Sequence, residues 1–288
     1  MWFKQECGLA ADGCTDRLCS DRPRALSRGA ILVHPSGNGL VLMFAAGNRP
    51  SASDIEHLLA SPDRQDANAG ILPAISHRPD DDAGWLELLS NGLTFDLVGL
   101  APGDAAPTPD ARHRFGLRDT SSEGPLEATG LVDGPHIVAG AAMLPVVRTL
   151  IGIAVGLCSR LTVQAVCWGP AQSWMEPGYF TRIAARWLNG GVFPALGLAA
   201  LEQSEEGALV SQGLSFFVGQ EVVIEPLAGE SRADTVKRAI RLMDLVVRQG
   251  GILATQEVAL EGADEGSTVK MLARPSQGGE LVRFGRGS

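Results

Sequence analysis

Residues 211–217 read Ser-Gln-Gly-Leu-Ser-Phe-Phe (SQGLSFF), and residues 90–96 read Ser-Asn-Gly-Leu-Thr-Phe-Asp (SNGLTFD). In both stretches a glycine precedes a Leu-x-Phe pattern, which places leucine and phenylalanine on one face of an extended strand. Glycine before a strand is typical of a backbone shape or a close approach that a side chain would block. The recurrence predicts that each stretch is the entry to a strand whose leucine and phenylalanine face a core.

The segments that precede the two stretches follow the same order of strand, helix, strand and strand. We therefore predict an α+β fold of two related strand–helix–strand–strand units, with mixed sheets flanked by helices, produced by internal duplication. The most specific form of this prediction is that residues 40–97 and 163–218 superpose with the same strand order. The alternative is that the glycine-led strand entry arose twice by chance. Before the first stretch we predict a strand at 40–45, a helix at 51–61 and a strand at 70–76. Before the second stretch we predict a strand at 163–168, a helix at 177–188 and a strand at 194–201.

The domain organisation follows from a change of character near the middle of the chain. Between Pro102 and Pro135 the sequence is rich in proline, alanine and short polar residues, which is typical of a connection. The second half is predicted to open with a strand at 136–140. The predicted parts are an N-terminal arm 1–27, a first α+β unit 28–118, a connection 119–135 and a second α+β domain 136–288.

The most apolar segment, Ala139–Cys158, has about the length of a membrane span. Its larger apolar residues recur at helical spacing along one stripe, while Arg148 lies on the other side and Pro145 fits a first helical turn. These features favour a buried helix, with a span as the alternative. Two amphipathic helices are also predicted, at 176–191 and at 231–250, the latter with a capping box at its start and glycine at its end.

Composition excludes several classes of protein. The chain has 288 residues, 45% of them hydrophobic, and a net charge of -9, so it can bury a large core and would repel a phosphate backbone. An acidic surface suits solubility or a basic partner. The beginning of the sequence has no continuous apolar signal segment, which together with an odd number of cysteines favours reduced thiols in a cytoplasm. The cysteines, whose spacing matches no zinc signature, are Cys7, Cys14, Cys19, Cys158 and Cys167.

Three stretches of the second half carry a resemblance to a known family. They are AVCWGPAQSW (Ala165–Trp174), FPALGLAALE (Phe193–Glu202) and SQGLSFFVGQEVVIEP (Ser211–Pro226), the last followed by a long helix that ends at Gly250-Gly251. From His136 to Pro275 the chain resembles the bacterial family catalogued as domain of unknown function 4261.

The chain departs from that family's pattern at two places. Ser211 stands where the family has threonine, and Val218-Gly219 stands where it has Phe-Gly. The carboxylates Glu221 and Glu225 are also more widely spaced than in the family. The resemblance implies a bacterial, cytoplasmic α+β domain, and it implies no activity.

The carboxylates Glu221 and Glu225 are candidate site residues on one face of a predicted strand. At about 3.3 Å per residue they lie about 13 Å apart, which is too far for an acid–base pair. One of them can serve in a pocket, or both can be half-exposed strand residues. Because Gly219 permits a bulge that re-aims the next side chains, Glu221 is the preferred residue if there is a chemical site.

Trp168, Trp174 and Glu176 bracket the loop that follows a predicted strand. Loops that lead from a strand into a helix are common ligand positions, since helix N-termini offer free N–H groups. The alternative is a plain turn that packs under two indoles. We therefore name Trp168, Trp174, Glu176, Glu221 and Glu225 as candidate binding residues.

No motif of the chain indicates a metal, a cofactor or a nucleophile. The histidines have no ligand spacing, and neither a nucleophile elbow nor a phosphate loop is present in the sequence. The leading interpretation is a bacterial cytoplasmic, non-enzymatic protein-binding module of accessory or immunity type, with no cofactor, nucleic acid or membrane partner. The alternative is an enzyme or small-molecule binder with a cleft near Trp168, Trp174 and Glu221. The histidines are His34, His57, His77, His113 and His136.

Overall fold

The structure, a computed structural model, describes residues 39–60, 71–117, 124–261 and 268–286. The predicted arm, the first residues of the predicted first unit (28–38) and the first three cysteines lie outside the described residues.

The described residues form five α-helices and fourteen strands, joined by turns and three short 3-10 helices. The helices are α1 (Ala52–Ala60), α2 (Leu144–Cys158), α3 (Pro177–Leu188), α4 (Ser215–Val218) and α5 (Arg232–Gln249). The strands are β1 (Leu40–Ala45), β2 (Ala74–His77), β3 (Trp85–Ser90), β4 (Leu93–Val98), β5 (His113–Phe115), β6 (Leu126–Asp133), β7 (Ala165–Trp168), β8 (Ser173–Met175), β9 (Ala200–Gln203), β10 (Leu209–Gln212), β11 (Glu221–Ile224), β12 (Gln256–Glu261), β13 (Thr268–Pro275) and β14 (Leu281–Gly285).

The strands form two mixed sheets. The larger has eight strands in the order β2-β3-β4-β6-β1-β7-β8-β5, and the smaller has six in the order β12-β13-β14-β11-β10-β9. Within the described residues one neighbouring pair in each sheet is parallel, β5 with β8 and β11 with β14, and the other neighbours are antiparallel. The predicted α+β class with mixed sheets and flanking helices is confirmed.

The two sheets share one apolar core. Phe44 and Leu131 of the larger sheet, Ile224 and Phe284 of the smaller sheet and Ile153 of α2 belong to a single cluster of buried side chains in contact. A second, smaller cluster lies on the other face of the larger sheet. Strands β7 and β8, which follow residue 135 in the chain, belong to the larger sheet. The predicted domain boundary at residue 136 therefore does not separate the two sheets.

The two glycine-led stretches do not occupy equivalent places, so the predicted duplication is not seen. Gly92 forms the tight turn of the β3–β4 hairpin, with a φ of 77°, and Phe95 is buried in β4. Gly213 instead lies against the 169–172 turn, where a Cβ would come within 2.8 Å of Ala171, and Phe216 lies in helix α4. The strand orders around the two stretches differ as well.

Part of the predicted connection is a central strand. Residues 126–133 form β6, which pairs with β1 on one side and β4 on the other. The predicted strand at 136–140 is instead a turn that contains a 3-10 helix at Val138–Gly140. The chain therefore leaves the middle of the sheet at Asp133 and reaches α2 through a compact turn.

The three long helices lie where the sequence places them. Ala139–Cys158 contributes the buried helix α2, and none of the described helices is both long enough and apolar enough to cross a membrane. The capping box of α5 is present, since the Ser231 hydroxyl accepts from the Asp234 N–H. The first helix, predicted at 51–61, is α1 at Ala52–Ala60, and its capping pair is Ser51 with Asp54.

Candidate functional site

The helices α2 and α3 lie side by side and antiparallel. Arg148, near the start of α2, donates hydrogen bonds to the carbonyls of Trp187 and Leu188 at the end of α3, over 3.1 and 2.7 Å. Its guanidinium also lies 4.9 Å from the centre of the Trp187 ring. A cation at a helix C-terminus satisfies the last carbonyls and offsets their partial negative charge. The charged residue of the most apolar helix therefore fastens α2 to α3.

A groove runs along the outer side of this helix pair. It contains two adjoining cavities of about 730 and 670 Å³, and Val155, Ala185 and Asn189 line both. We call this the α2–α3 groove. Its described lining mixes aliphatic side chains with hydroxyl, amide and arginine side chains, and no described aspartate or glutamate contributes to it. The other lining residues are Ile71, Asn91, Leu93, Pro145, Arg148, Thr149 and Leu188 in the larger cavity, and Cys158, Ser159, Pro177, Gly178, Thr181, Arg182, Arg186 and Gly191 in the smaller one.

Two exposed arginines, Arg182 and Arg186, stand one helical turn apart on the rim of the groove. The Arg182 guanidinium lies 5.5 Å from the centre of the Tyr179 ring. Neither arginine forms an ion pair with any residue that the structure describes. The rim is therefore locally cationic on a chain whose net charge is -9.

Glu221 holds the turn that precedes α4. Its Oε1 accepts from the N–H groups of Gly213 and Ser215, at 2.8 and 3.0 Å, and from the Ser215 hydroxyl at 2.7 Å. Its Oε2 accepts from the Ser211 hydroxyl and from the Leu214 N–H. A carboxylate that accepts several N–H groups at a helix start is a structural cap.

Trp168 and Trp174 lie on opposite faces of the larger sheet. Trp168 is buried in the shared core and contacts Phe216 and Phe217 of α4. Trp174 packs on the smaller cluster with its N–H bonded to the Pro109 carbonyl. In the β7–β8 pair Trp168 is opposite Ser173, so strand alternation sends the next side chain to the other face. The two indoles therefore do not line one cleft.

The remaining candidate carboxylates have structural partners. Glu176 caps α3 by accepting from the N–H groups of Gly178 and Tyr179. Glu225 follows β11 and forms an exposed ion pair with Arg283 at 3.2 Å. The structure thus connects Glu221 with Trp168 through α4, and it leaves Trp174, Glu176 and Glu225 apart from them. Whether any of the five binds a ligand stays a prediction.

A chain of aromatic contacts joins α4 to the groove. Trp168 stacks on Phe217 with centroids 6.0 Å apart, and Phe217 meets Phe193 edge-on at 4.9 Å. The ring centroids of Phe193 and Trp187 are 5.8 Å apart, and the Arg148 guanidinium lies over the Trp187 ring. A continuous series of ring contacts therefore runs from Arg148 to the helix that follows the turn held by Glu221.

The two described cysteines are free thiols, as predicted. Cys158 lines the groove, and burial raises the pKa of its thiol to about 12. Burial also raises the pKa of Cys167. Both are therefore neutral near pH 7, and a neutral thiol is a poor nucleophile.

Among the described residues no group of three or more potential ligands is placed to hold a metal ion. His113 instead bonds the Gln212 side chain at 2.8 Å and approaches Glu202 at 3.4 Å, which ties β5 to β10 and β9. The prediction that the protein uses no cofactor is not tested by this arrangement.

Comparisons with protein-family models, with curated proteins and with solved structures gave no match to this chain. The resemblance to domain of unknown function 4261 therefore stays a prediction.

The groove was not predicted from the sequence. The apolar stripe of α3 contains Phe180, Ala184 and Trp187, and the fold buries that face. The groove uses the opposite face, where Arg182 and Arg186 lie one turn apart with Ala185 to one side of them.

Proposed function

We propose that the chain is a non-enzymatic protein-binding module and that the α2–α3 groove is its binding surface. The observation that carries the proposal is the groove itself, which is open to solvent, is lined by both aliphatic and polar side chains and is edged by arginine. Grooves between helices are a common seat for a segment of a partner protein. The bacterial, cytoplasmic and accessory or immunity-type setting is part of the same proposal, and it rests on the resemblance of the second half.

The placement of the residues suited to chemistry supports the same function. Glu221 and Glu176 both cap helices, and Trp168 fills the core. These side chains are engaged in holding the fold. The alternative of an enzyme or small-molecule binder with a cleft at Trp168, Trp174 and Glu221 draws no support from two indoles on opposite faces.

Site-specific photo-crosslinking in the native cells tests the proposal. A benzoylphenylalanine at position 189 would lie in the groove, because Asn189 is exposed and lines both cavities. The matched control carries the same probe at position 232, where Arg232 is exposed at the start of α5. We expect one protein adduct, identified by mass spectrometry, from position 189 alone. No adduct at 189, or equal adducts at both positions, would contradict the proposal.

A further inference from the structure

The rim of the α2–α3 groove carries two arginines, Arg182 and Arg186, that have no ion-pair partner within the described ranges, although the chain has 33 acidic residues against 24 basic ones. Some other exposed cations have carboxylate partners, as Lys237 has Asp234 and Arg248 has Asp244, whereas others have none among the described residues. What distinguishes Arg182 and Arg186 is that they lie one turn apart on the edge of a groove. Complementary charge is a main determinant of which partner a surface selects. A partner that places carboxylates beside Arg182 and Arg186 should therefore bind the groove more tightly than one that does not.

The floor and length of the groove fit an α-helix. Val155 of α2 is only 1% exposed and forms the base of the groove, and the half-buried Ala185 of α3 lies beside it. A small residue on an antiparallel helix pair lets a third helix approach closely in ridges-into-grooves packing. α3 has 12 residues. At 1.5 Å per residue it is about 18 Å long, so a partner helix of about three turns covers the groove.

We propose that the groove takes an acidic amphipathic helix of another protein. The inference rests on the proposed protein-binding function and adds the chemistry of the partner. Carboxylates one turn apart on the partner pair with Arg182 and Arg186, which are themselves one turn apart. Apolar partner residues on the adjoining stripe cover the half-buried Ala185 and Leu188. A nucleic acid fits less well, because a net charge of -9 repels a phosphate backbone and the nearest indole, Trp187, is buried.

The test uses the full chain and a defined peptide library. A phage-displayed library of 16-residue peptides, randomised on a helix-forming alanine and lysine background, is selected on the immobilised protein. One enriched peptide and its analogue with every Glu and Asp changed to Gln and Asn are then titrated by fluorescence anisotropy. The protein variants are the double charge reversal R182E with R186E, the milder pair R182Q with R186Q, and a control pair R232E with R274E on two exposed arginines away from the groove.

We expect enriched peptides to carry acidic residues three or four apart beside an apolar stripe. The groove reversal and the Gln/Asn analogue should each weaken binding at least tenfold, about 1.4 kcal/mol, whereas the control pair should leave it within twofold. Equal binding of the analogue, equal effects of both reversals, or no enrichment would overturn the proposal. Arginine-dependent binding of a single-stranded oligonucleotide or of anionic vesicles in place of peptides would also overturn it.

The outcomes separate this inference from the function on which it rests. A groove-specific adduct at position 189 combined with peptides that lack acidic enrichment would leave the binding module standing and remove the acidic partner. If neither the adduct nor peptide binding is observed, both the proposed binding module and the acidic partner are refuted. Thermal unfolding of each variant, followed by circular dichroism, confirms that the exposed substitutions leave the fold intact.

Discussion

Changing Glu221 to glutamine tests whether this carboxylate is a structural anchor. The substitution keeps the size of the side chain and removes its charge. One of the two acceptor oxygens becomes an amide nitrogen, which donates. The effect should therefore appear in the free energy of unfolding, because the side chain accepts from the turn that starts α4 and from β10.

The magnitude follows from the bonds that survive. The less costly orientation of the glutamine amide places its oxygen where Oε1 of Glu221 lies. There it still accepts from the Gly213 and Ser215 N–H groups and from the Ser215 hydroxyl. The amide nitrogen then faces the Leu214 N–H, and a donor left without an acceptor costs about 1–3 kcal/mol. The three remaining bonds lose their charge assistance, which roughly doubles the strength of such bonds. Because the site is only partly buried, we expect a total loss of about 3 kcal/mol.

Urea unfolding followed by tryptophan fluorescence measures this loss. The matched control is Glu225→Gln, the same chemical change just beyond β11, where the carboxylate has one exposed ion pair with Arg283. Exposed pairs contribute about 0–1 kcal/mol. If Glu221→Gln unfolds at the midpoint of the wild type, or at that of Glu225→Gln, the anchoring role is refuted.

Three further predictions concern the core and two acidic residues. Trp168→Ala should lower the free energy of unfolding by about 3–5 kcal/mol in urea, because the indole is buried against Phe217, and an unchanged midpoint would contradict this packing role. The pKa of Glu230 is lowered chiefly by hydrogen bonding to the buried Arg238. Its carboxylate should therefore stabilise the fold above pH 5, and this stabilisation should be lost as the pH falls through the lowered pKa. Glu230→Gln should cost about 3 kcal/mol at pH 7 and less at pH 3. Burial raises the pKa of Asp133 from 3.8 to about 6, so its ionisation costs stability increasingly between these two pH values and in full above them. Asp133→Asn should therefore add about 2 kcal/mol at pH 8 and little at pH 4, as chemical unfolding at the two pH values would show.

The elements that could be predicted from the sequence are those specified by nearby residues. α3 and α5 each combine an apolar stripe with a cap at both ends, and these signals lie within the helix itself. β1 was predicted with its observed ends because it is a continuous apolar run. Such elements need no knowledge of the rest of the fold.

The elements that were missed depend on distant contacts. β6 contains Ala128, Thr129 and Gly130, small residues that look like a connection and become a central strand because two flanking strands cover them. α4 has four residues and begins where Glu221, later in the chain, binds the N–H groups. The groove arises only when the outer faces of α2 and α3 are set side by side. No local pattern specifies any of the three.

The position of β1 has a consequence for how the chain is made. Leu40 pairs with Leu131 on one side and with Trp168 on the other, so both neighbours of this apolar strand emerge from the ribosome long after it does. Until then its two hydrogen-bonding edges are open, and open apolar edges pair readily with other chains. Until the chain has been translated as far as Trp168, β1 lacks one of its two neighbours, and expression fragments that stop short of that residue carry an unprotected strand.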